Sequence, residues 1–143
     1  MRLAEIMTTD VEVIGSNASL KEAAAKMKDL HTGLIPVCEG DELKGILTDR
    51  DITVRATAEG CSPSKTKVSH IMSKELAYCF EDQEIEEAMS VMEARQIRRF
   101  PILNREKRLV GIVTLGDLSV QAWQNILLGE TLKDLSLAAM PRC

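Results

Sequence analysis

The chain has 143 residues, of which 45% are hydrophobic, 28% charged and 3% aromatic, and its formal net charge is −4. This composition is typical of a globular domain with its own core, and it excludes a disordered chain, a collagen-like fibre and a small disulfide scaffold. The negative charge removes any general attraction to nucleic acids or anionic membranes, and the few aromatic residues cannot form a base-stacking platform. We therefore expect neither nucleic acid nor membrane as a partner, and any bound anion must be held by local charges.

The cysteines and histidines follow no metal-binding or redox spacing. Cys38, Cys61, Cys79 and Cys143 form no C-x-x-C pair, and the two histidines lie in different halves of the chain. We therefore expect free thiols, a cytoplasmic location and no metal site. No apolar run approaches the roughly 20 residues of a membrane span, and Glu5 stands where a signal peptide would need an apolar stretch.

One sequence pattern occurs twice along the chain. Met7 recurs as Met72 and Pro36 as Pro101, both at an offset of 65 residues. An insertion of one residue then changes the offset to 66. The identities at this second offset pair Leu43, Gly45, Ile46, Thr48 and Asp51 with Leu109, Gly111, Ile112, Thr114 and Asp117. So many matches in one order predict a structural repeat.

Each copy predicts the same series of elements. A capping box of Ser19 and Glu22 starts the first helix, whose apolar face is formed by Leu20, Ala23, Ala24, Met27 and Leu30 in copy one and by Ile85, Ala88, Met89 and Met92 in copy two. In chain order, the elements are an amphipathic segment (3–7, 68–72), an extended stretch (11–14, 76–80), a helix (20–30, 85–92), a buried strand (34–37, 100–103), a polar turn (39–42, 104–107), a second strand (43–47, 109–113) and a second helix (49–58, 115–127).

These elements predict an α+β fold made of two β-α-β-β-α repeats. Neither copy has enough elements to cover its own apolar faces, so we expect the two to pack together with pseudo-two-fold symmetry. The predicted divisions are repeat 1 (1–59), a linker (60–67), repeat 2 (68–122) and a helical tail (123–143).

A G-h-h-T-x-x-D motif ends the second strand of each copy, at Thr48 and Asp51 and at Thr114 and Asp117. One interpretation is purely structural, because Thr-x-x-Asp is itself a helix-capping signature. The other is functional: a helix N-terminus attracts phosphate, and an aspartate can accept hydrogen bonds from ribose hydroxyls. Both can hold together. Since no nucleophile with a matched base is evident, we do not expect an enzyme.

The ordered repeat resembles tandem cystathionine-β-synthase-type (CBS) domains over residues 1–118. This resemblance implies a stand-alone CBS pair with a regulatory role and no required cofactor. Its two clefts would bind adenine nucleotides or related adenosyl compounds, such as AMP, ADP, ATP, NAD or S-adenosylmethionine. It also implies a homodimer, and an effector protein that the sequence does not identify.

The resemblance further implies which residues would bind the ligand. Thr114, Asp117 and Arg99 would contact phosphate and ribose in one cleft, while Thr48 and Asp51 would do so in the other. The remaining expected contacts are Arg98 facing the Asp51 cleft, Gly33 and Leu34 before the first buried strand, Val11, Val13 and Tyr78 as walls of the adenine site, and Arg50 at a phosphate or a subunit contact.

Two questions stay open at this level. The alternative to ligand sensing is a structural or interaction dimer without a small-molecule ligand, in which the Thr-x-x-Asp motifs are caps only. The tail carries Trp123 and three leucines of residues 131–139, and we expect it to pack at a subunit interface or, alternatively, back onto its own core.

Overall fold

The computed structural model describes residues 1–129 of the chain, so the predicted tail beyond Gly129 lies outside the described residues. In order, the elements are α1 (Leu20–Leu30), β1 (Leu34–Glu39), β2 (Glu42–Thr48), α2 (Asp49–Asp51, continued by a π-helical segment Ile52–Thr57), β3 (Cys79–Phe80), α3 (Ile85–Arg95), β4 (Arg99–Leu103), β5 (Leu109–Thr114) and α4 (Leu115–Gly129). Short 3₁₀ turns occupy Leu3–Glu5 and Val68–His70. The predicted α+β architecture is confirmed.

Helix α1 begins and ends where its sequence predicts. The Ser19 hydroxyl accepts a hydrogen bond from the Glu22 backbone N–H at 3.1 Å, and His31 ends the helix in the left-handed conformation with φ of 53°. Its buried face is narrower than predicted, because only one stripe of the helix packs on the core. Ala24 and Leu30 are exposed, and so is Met89 on α3.

The strands form two small sheets. Strands β1 and β2 pair antiparallel from Leu34 opposite Thr48, and a second sheet has the order β3-β4-β5. The extended stretches before the first helices form less sheet than predicted. In residues 11–14 only Ile14 pairs, with Val37, and in residues 76–80 only Cys79 and Phe80 do. Val11 instead lies in the wall of a cleft described below, away from the sheet.

The segments that open the two copies are exchanged between them. Leader 1 (residues 1–8) packs on copy two: Leu3 belongs to the core around Phe100, and its N–H donates to the Gln83 carbonyl at 2.9 Å. Leader 2 (residues 66–73) packs on copy one, where Val68 belongs to the core around Leu47. Each core thus contains apolar side chains from both copies, and this exchange ties the two repeats together.

The leaders also extend the two sheets at equivalent positions. Thr8 pairs with Ile112 of β5, and Ser73 pairs with Ile46 of β2, each as an antiparallel bridge. The Ile46 N–H donates to the Ser73 carbonyl at 3.0 Å, and the Ser73 N–H returns a bond of 2.9 Å. The pseudo-two-fold relation of the sequence repeat is therefore also a relation between backbone contacts.

The described cysteines are free thiols of different accessibility. Cys38 and Cys79 are buried, and burial raises the pKa of each thiol to about 11, whereas Cys61 is half-exposed. Among residues 1–129, no helix has the length and apolarity needed to cross a bilayer.

Thiol labelling at pH 8 is therefore expected to distinguish these cysteines. Because the thiolate is the reactive form, Cys61 should react with a maleimide well before Cys38 and Cys79, which should react only after unfolding. Mass spectrometry of proteolytic peptides would identify the labelled residue. Early labelling of Cys38 or Cys79 in the native protein would contradict the described packing.

Candidate functional site: two clefts between the repeats

The two repeats enclose two clefts related by the repeat offset. Cleft A has a volume of about 300 Å³ and cleft B of about 280 Å³. Cleft A is lined by Thr48 and Asp51 of copy one and by residues of copy two, of which the charged ones are Glu75, Arg95 and Arg99. Its apolar walls are formed by Leu34, Ile46, Leu76, Ala77, Ile97, Phe100 and Pro101.

Cleft B has the same position in the fold but a different charge. Where cleft A has Arg95 and Arg99, the equivalent positions in cleft B are Leu30 and Leu34. Leu34 lines both clefts. The charged residues in the wall of cleft B are Asp10 and Glu12, and the other lining residues are Thr8, Val11, Thr32, Pro36 and Ile112. The charged lining of cleft A therefore includes two arginines and that of cleft B two carboxylates, although Arg99 also reaches Thr32 in the wall of cleft B.

Both Thr-x-x-Asp motifs form reciprocal caps. The Thr48 hydroxyl accepts from the Asp51 N–H at 3.1 Å, and Asp51 Oδ2 accepts from the Thr48 N–H at 3.0 Å. Thr114 and Asp117 make the same two bonds, at 3.1 and 3.0 Å. The cap uses one carboxylate oxygen, and Oδ1 of each aspartate makes no hydrogen bond within residues 1–129. The structural interpretation of the motif is thus correct, and it leaves an acceptor for a ligand.

The two motifs differ in their relation to the clefts. Thr48 and Asp51 lie in the wall of cleft A. In cleft B, among the described residues, the part of β5 that reaches the wall is Ile112, and Thr114 and Asp117 stand beyond it at the start of α4. Thr48 and Asp51 thus line a cleft, whereas Thr114 lies opposite Arg99 across β4 and β5.

Arg99 lies at the boundary between the two clefts. The resemblance placed it with Asp117, but its side chain lines cleft A beside Thr48 and Asp51. Its Nη1 donates to the Thr32 hydroxyl of the other copy at 3.4 Å. Because Thr32 lines cleft B, Arg99 reaches the walls of both clefts, and its expected place beside Asp117 stays a prediction.

Arg98 and Gly33 do not line cleft A, and their backbone carbonyls accept hydrogen bonds from the starts of α4 and α2. The prediction that Arg98 faces the Asp51 cleft was wrong: its side chain lines a separate depression beside Ile97 and Leu115. The Arg98 carbonyl accepts from the Leu115 N–H at 2.6 Å, and the Gly33 carbonyl accepts from the Asp49 N–H at 2.9 Å. Each residue thus fastens the first turn of the following helix.

The remaining predicted contacts are spread over several surfaces. Val11 lines cleft B, and the Val13 carbonyl accepts from Lys26 Nζ at 2.6 Å. Tyr78 packs edge-to-face on Phe80 at 5.5 Å and lines a separate depression of about 390 Å³. Arg50 is exposed at the start of α2.

Two cleft residues, Glu75 and Arg95, were not predicted from the sequence. Both line cleft A. The signal for Arg95 was present, because the repeat offset pairs it with Leu30, a charge difference of the same kind as Arg99 against Leu34. From the sequence alone, an arginine at the end of a helix is interpreted as a solvated side chain, because only the folded structure shows the cleft beside it.

Comparison with known proteins now gives the family. The sequence profile of the CBS domain matches residues 3–56 and again residues 68–120, together most of the chain. The chain belongs to the CBS domain family. The Bacillus subtilis CBS domain-containing protein YhcV is 44% identical to it over 132 residues, which are 92% of this chain and 93% of YhcV.

Solved CBS pairs share the fold. The crystal structure of Hypoxic Response Protein I, with two coordinated zinc ions, superposes with a TM-score of 0.78 at 34% identity and covers 85% of this chain and 98% of that one. The CBS pair of the protein MJ0100, solved with 5′-methylthioadenosine and S-adenosyl-L-methionine, gives a TM-score of 0.75 at 25% identity over 87% and 98% of the two chains. In residues 1–129 of the present chain, no three metal-ligating side chains cluster.

Proposed function

We propose that the protein is a regulatory sensor that binds a phosphorylated adenosine ligand in cleft A. The observation that carries this proposal is that the partly exposed Asp51 lines the same cleft as Arg95 and Arg99. A sensing role is supported by the adenosyl compounds bound in a related CBS pair.

The chemistry of cleft A matches the three parts of a nucleotide. Asp51 Oδ1 is free to accept from ribose hydroxyls, since a carboxylate is an acceptor with several lone pairs. The arginines match a phosphate, because a guanidinium donates two parallel hydrogen bonds to an oxyanion. The apolar side chains of Leu76 and Ala77, with Ile46, supply a wall for the purine ring.

Cleft B is less suited to the same ligand. Its charged wall residues are Asp10 and Glu12, which repel a phosphate, and the equivalents of the two arginines are leucines. We therefore assign the phosphorylated ligand to cleft A alone. The other expectations, a homodimer with an effector protein and domain divisions at residues 59 and 67, stay predictions, and sedimentation of the full chain tests the first of them.

The sharpest test exchanges a residue between the clefts. Arg99→Leu places in cleft A the residue that copy one carries at the equivalent position, so the change is compatible with the fold. We expect AMP affinity to fall about tenfold, since a charge-assisted hydrogen bond contributes about 1.5 kcal/mol. Adenosine, which lacks the phosphate, should bind both proteins equally in isothermal titration calorimetry.

Two results would oppose the proposal. One is that none of AMP, ADP, ATP, NAD and S-adenosylmethionine raises the melting temperature of the wild-type protein. The Thr-x-x-Asp motifs would then be caps only, as in the structural or interaction dimer. If Arg99→Leu weakens AMP and adenosine by the same factor, Arg99 supports the cleft without contacting a phosphate. Arg105→Leu, at an exposed arginine that pairs with Asp82, serves as the control for the loss of one surface charge.

A further inference from the structure

A second polar depression lies beside cleft A, where leader 2 meets the π-helical end of α2. Its volume is about 430 Å³. Its polar lining consists of Arg55, His70, Lys74 and Glu75 together with Ser69 and Ser73. Ser73 and Glu75 also line cleft A, so the two cavities share a wall. We call this cavity the basic depression.

The basic side chains of the basic depression form no salt bridge with another described residue. Within residues 1–129, Arg55, His70 and Lys74 form no ion pair, although five other basic groups do. Arg55 Nη1 donates to the Met72 carbonyl at 3.4 Å, which fixes the guanidinium against leader 2 and leaves its other N–H groups available. Glu75 is the one carboxylate in the lining.

The repeat supplies an internal comparison for this charge. At the equivalent positions of the other copy, Arg55 is replaced by Gln121, His70 by Glu5 and Lys74 by Thr9, while Glu75 corresponds to Asp10. Leader 1 packs beside α4 as leader 2 packs beside α2, so these residues occupy the matching place in the fold. The framework therefore does not need cations here, because the matching place is acidic.

We propose that the basic depression binds a phosphoryl anion. Its hydroxyl and cationic donors are those that recognise phosphate oxygens. The phosphate has two sources that share this chemistry: a free inorganic polyphosphate, or the terminal phosphates of a nucleotide whose adenosine occupies the adjoining cleft A. The site goes beyond the proposed function, because a free anion can occupy it whether or not cleft A binds adenosine.

The test uses tripolyphosphate as the probe and isothermal titration calorimetry of the full chain at low ionic strength. Arg55→Gln and Lys74→Thr each introduce the residue that the other copy carries at the same position. We expect each variant to weaken tripolyphosphate binding about fivefold, since an exposed ion pair contributes about 1 kcal/mol. The exposed Lys21 of α1 supplies the control Lys21→Gln, which should leave the affinity unchanged.

Nucleotides then distinguish the two sources. If ATP binds more tightly than AMP to the wild type, and Lys74→Thr removes that advantage, the anion is the nucleotide's own terminal phosphate. If only tripolyphosphate binding responds to the substitution, the site takes a free anion. Lys74 makes no hydrogen bond or ion pair in residues 1–129, so its variant remains informative even if Arg55→Gln disturbs the packing of leader 2.

The outcomes also separate this site from the proposed function. Loss of tripolyphosphate binding in the variants, in a protein that binds no adenosine compound, would support the basic depression while refuting the sensor in cleft A. Unchanged tripolyphosphate affinity in both variants, or no binding by the wild type, would overturn the basic depression and leave the proposal for cleft A untouched.

Discussion

Gly45→Val is expected to lower the free energy of unfolding by about 3 kcal/mol, because no space exists for a side chain at this position. A Cβ atom on Gly45 would lie 2.7 Å from Met72 Sδ and 2.8 Å from the Ser73 carbonyl oxygen. The thioether can move, but the carbonyl cannot do so without breaking its 3.0 Å hydrogen bond from the Ile46 N–H. Urea denaturation followed by circular dichroism measures the loss.

Two further glycines make this prediction specific. Gly15→Val is the control, since a Cβ at Gly15 meets nothing within 4 Å, and it should change stability by less than about 0.5 kcal/mol. Gly111→Val should reproduce the effect in copy two, where the Cβ would lie 2.5 Å from Met7 Sδ and 3.0 Å from the Thr8 carbonyl. If Gly45→Val and Gly15→Val lower the free energy of unfolding by the same amount, the leaders do not pair with the sheets as described.

Asp51→Ala is expected to weaken AMP binding about 100-fold and also to lower stability by about 1 kcal/mol. The binding loss follows from removing the acceptor for the ribose hydroxyls, since hydrogen bonds to a charged group contribute up to about 3 kcal/mol. The stability loss follows from removing the acceptor for the Thr48 N–H, which Asp51 Oδ2 holds at 3.0 Å. Calorimetry with AMP and urea denaturation of the same variant measure the two effects.

Asp117→Ala is the matched control for the capping role. Asp117 makes the same two cap bonds with Thr114, so the stability loss should equal that of Asp51→Ala. AMP binding should be unchanged, because Asp117 does not line cleft A, where the ligand is proposed to bind. Equal loss of AMP affinity in both variants would contradict the assignment of the phosphorylated ligand to cleft A.

Local sequence signals accounted for the parts of the fold that neighbouring residues decide. Ser19 capped α1 and the Thr-x-x-Asp motifs capped α2 and α4, because each cap depends on backbone groups within three residues. The strand predicted at residues 11–14 forms less sheet in the structure than expected. Apolar alternation indicates a strand, but pairing also requires a free neighbouring strand edge, and only Ile14 meets one.

The candidate site was predicted only in part. Thr48, Asp51 and Leu34 line cleft A, because the repeated motif and the strand that follows α1 end at that side of the sheet, while their contact with a ligand stays a prediction. Arg95 was not recognised as a cleft residue, and Arg99 was expected in one cleft but reaches the walls of both. Both residues lie in a wall built from the two copies. The sequence pattern within one copy does not indicate toward which part of the other copy a side chain extends.

The length, composition and repeat by themselves determined that this acidic chain of 143 residues forms two equivalent repeats that pack together, and that any phosphate must be bound by local charge. The tertiary structure alone decided that Leu3 and Val68 are exchanged between the repeats, and that Arg95 and Arg99 line the same cleft as Asp51. The physical reason is the separation along the chain of the residues that interact. Caps and amphipathic faces arise from residues within a few positions of one another, whereas the exchange and the charge of each cleft depend on contacts between residues far apart in the chain, such as Leu3 with Gln83.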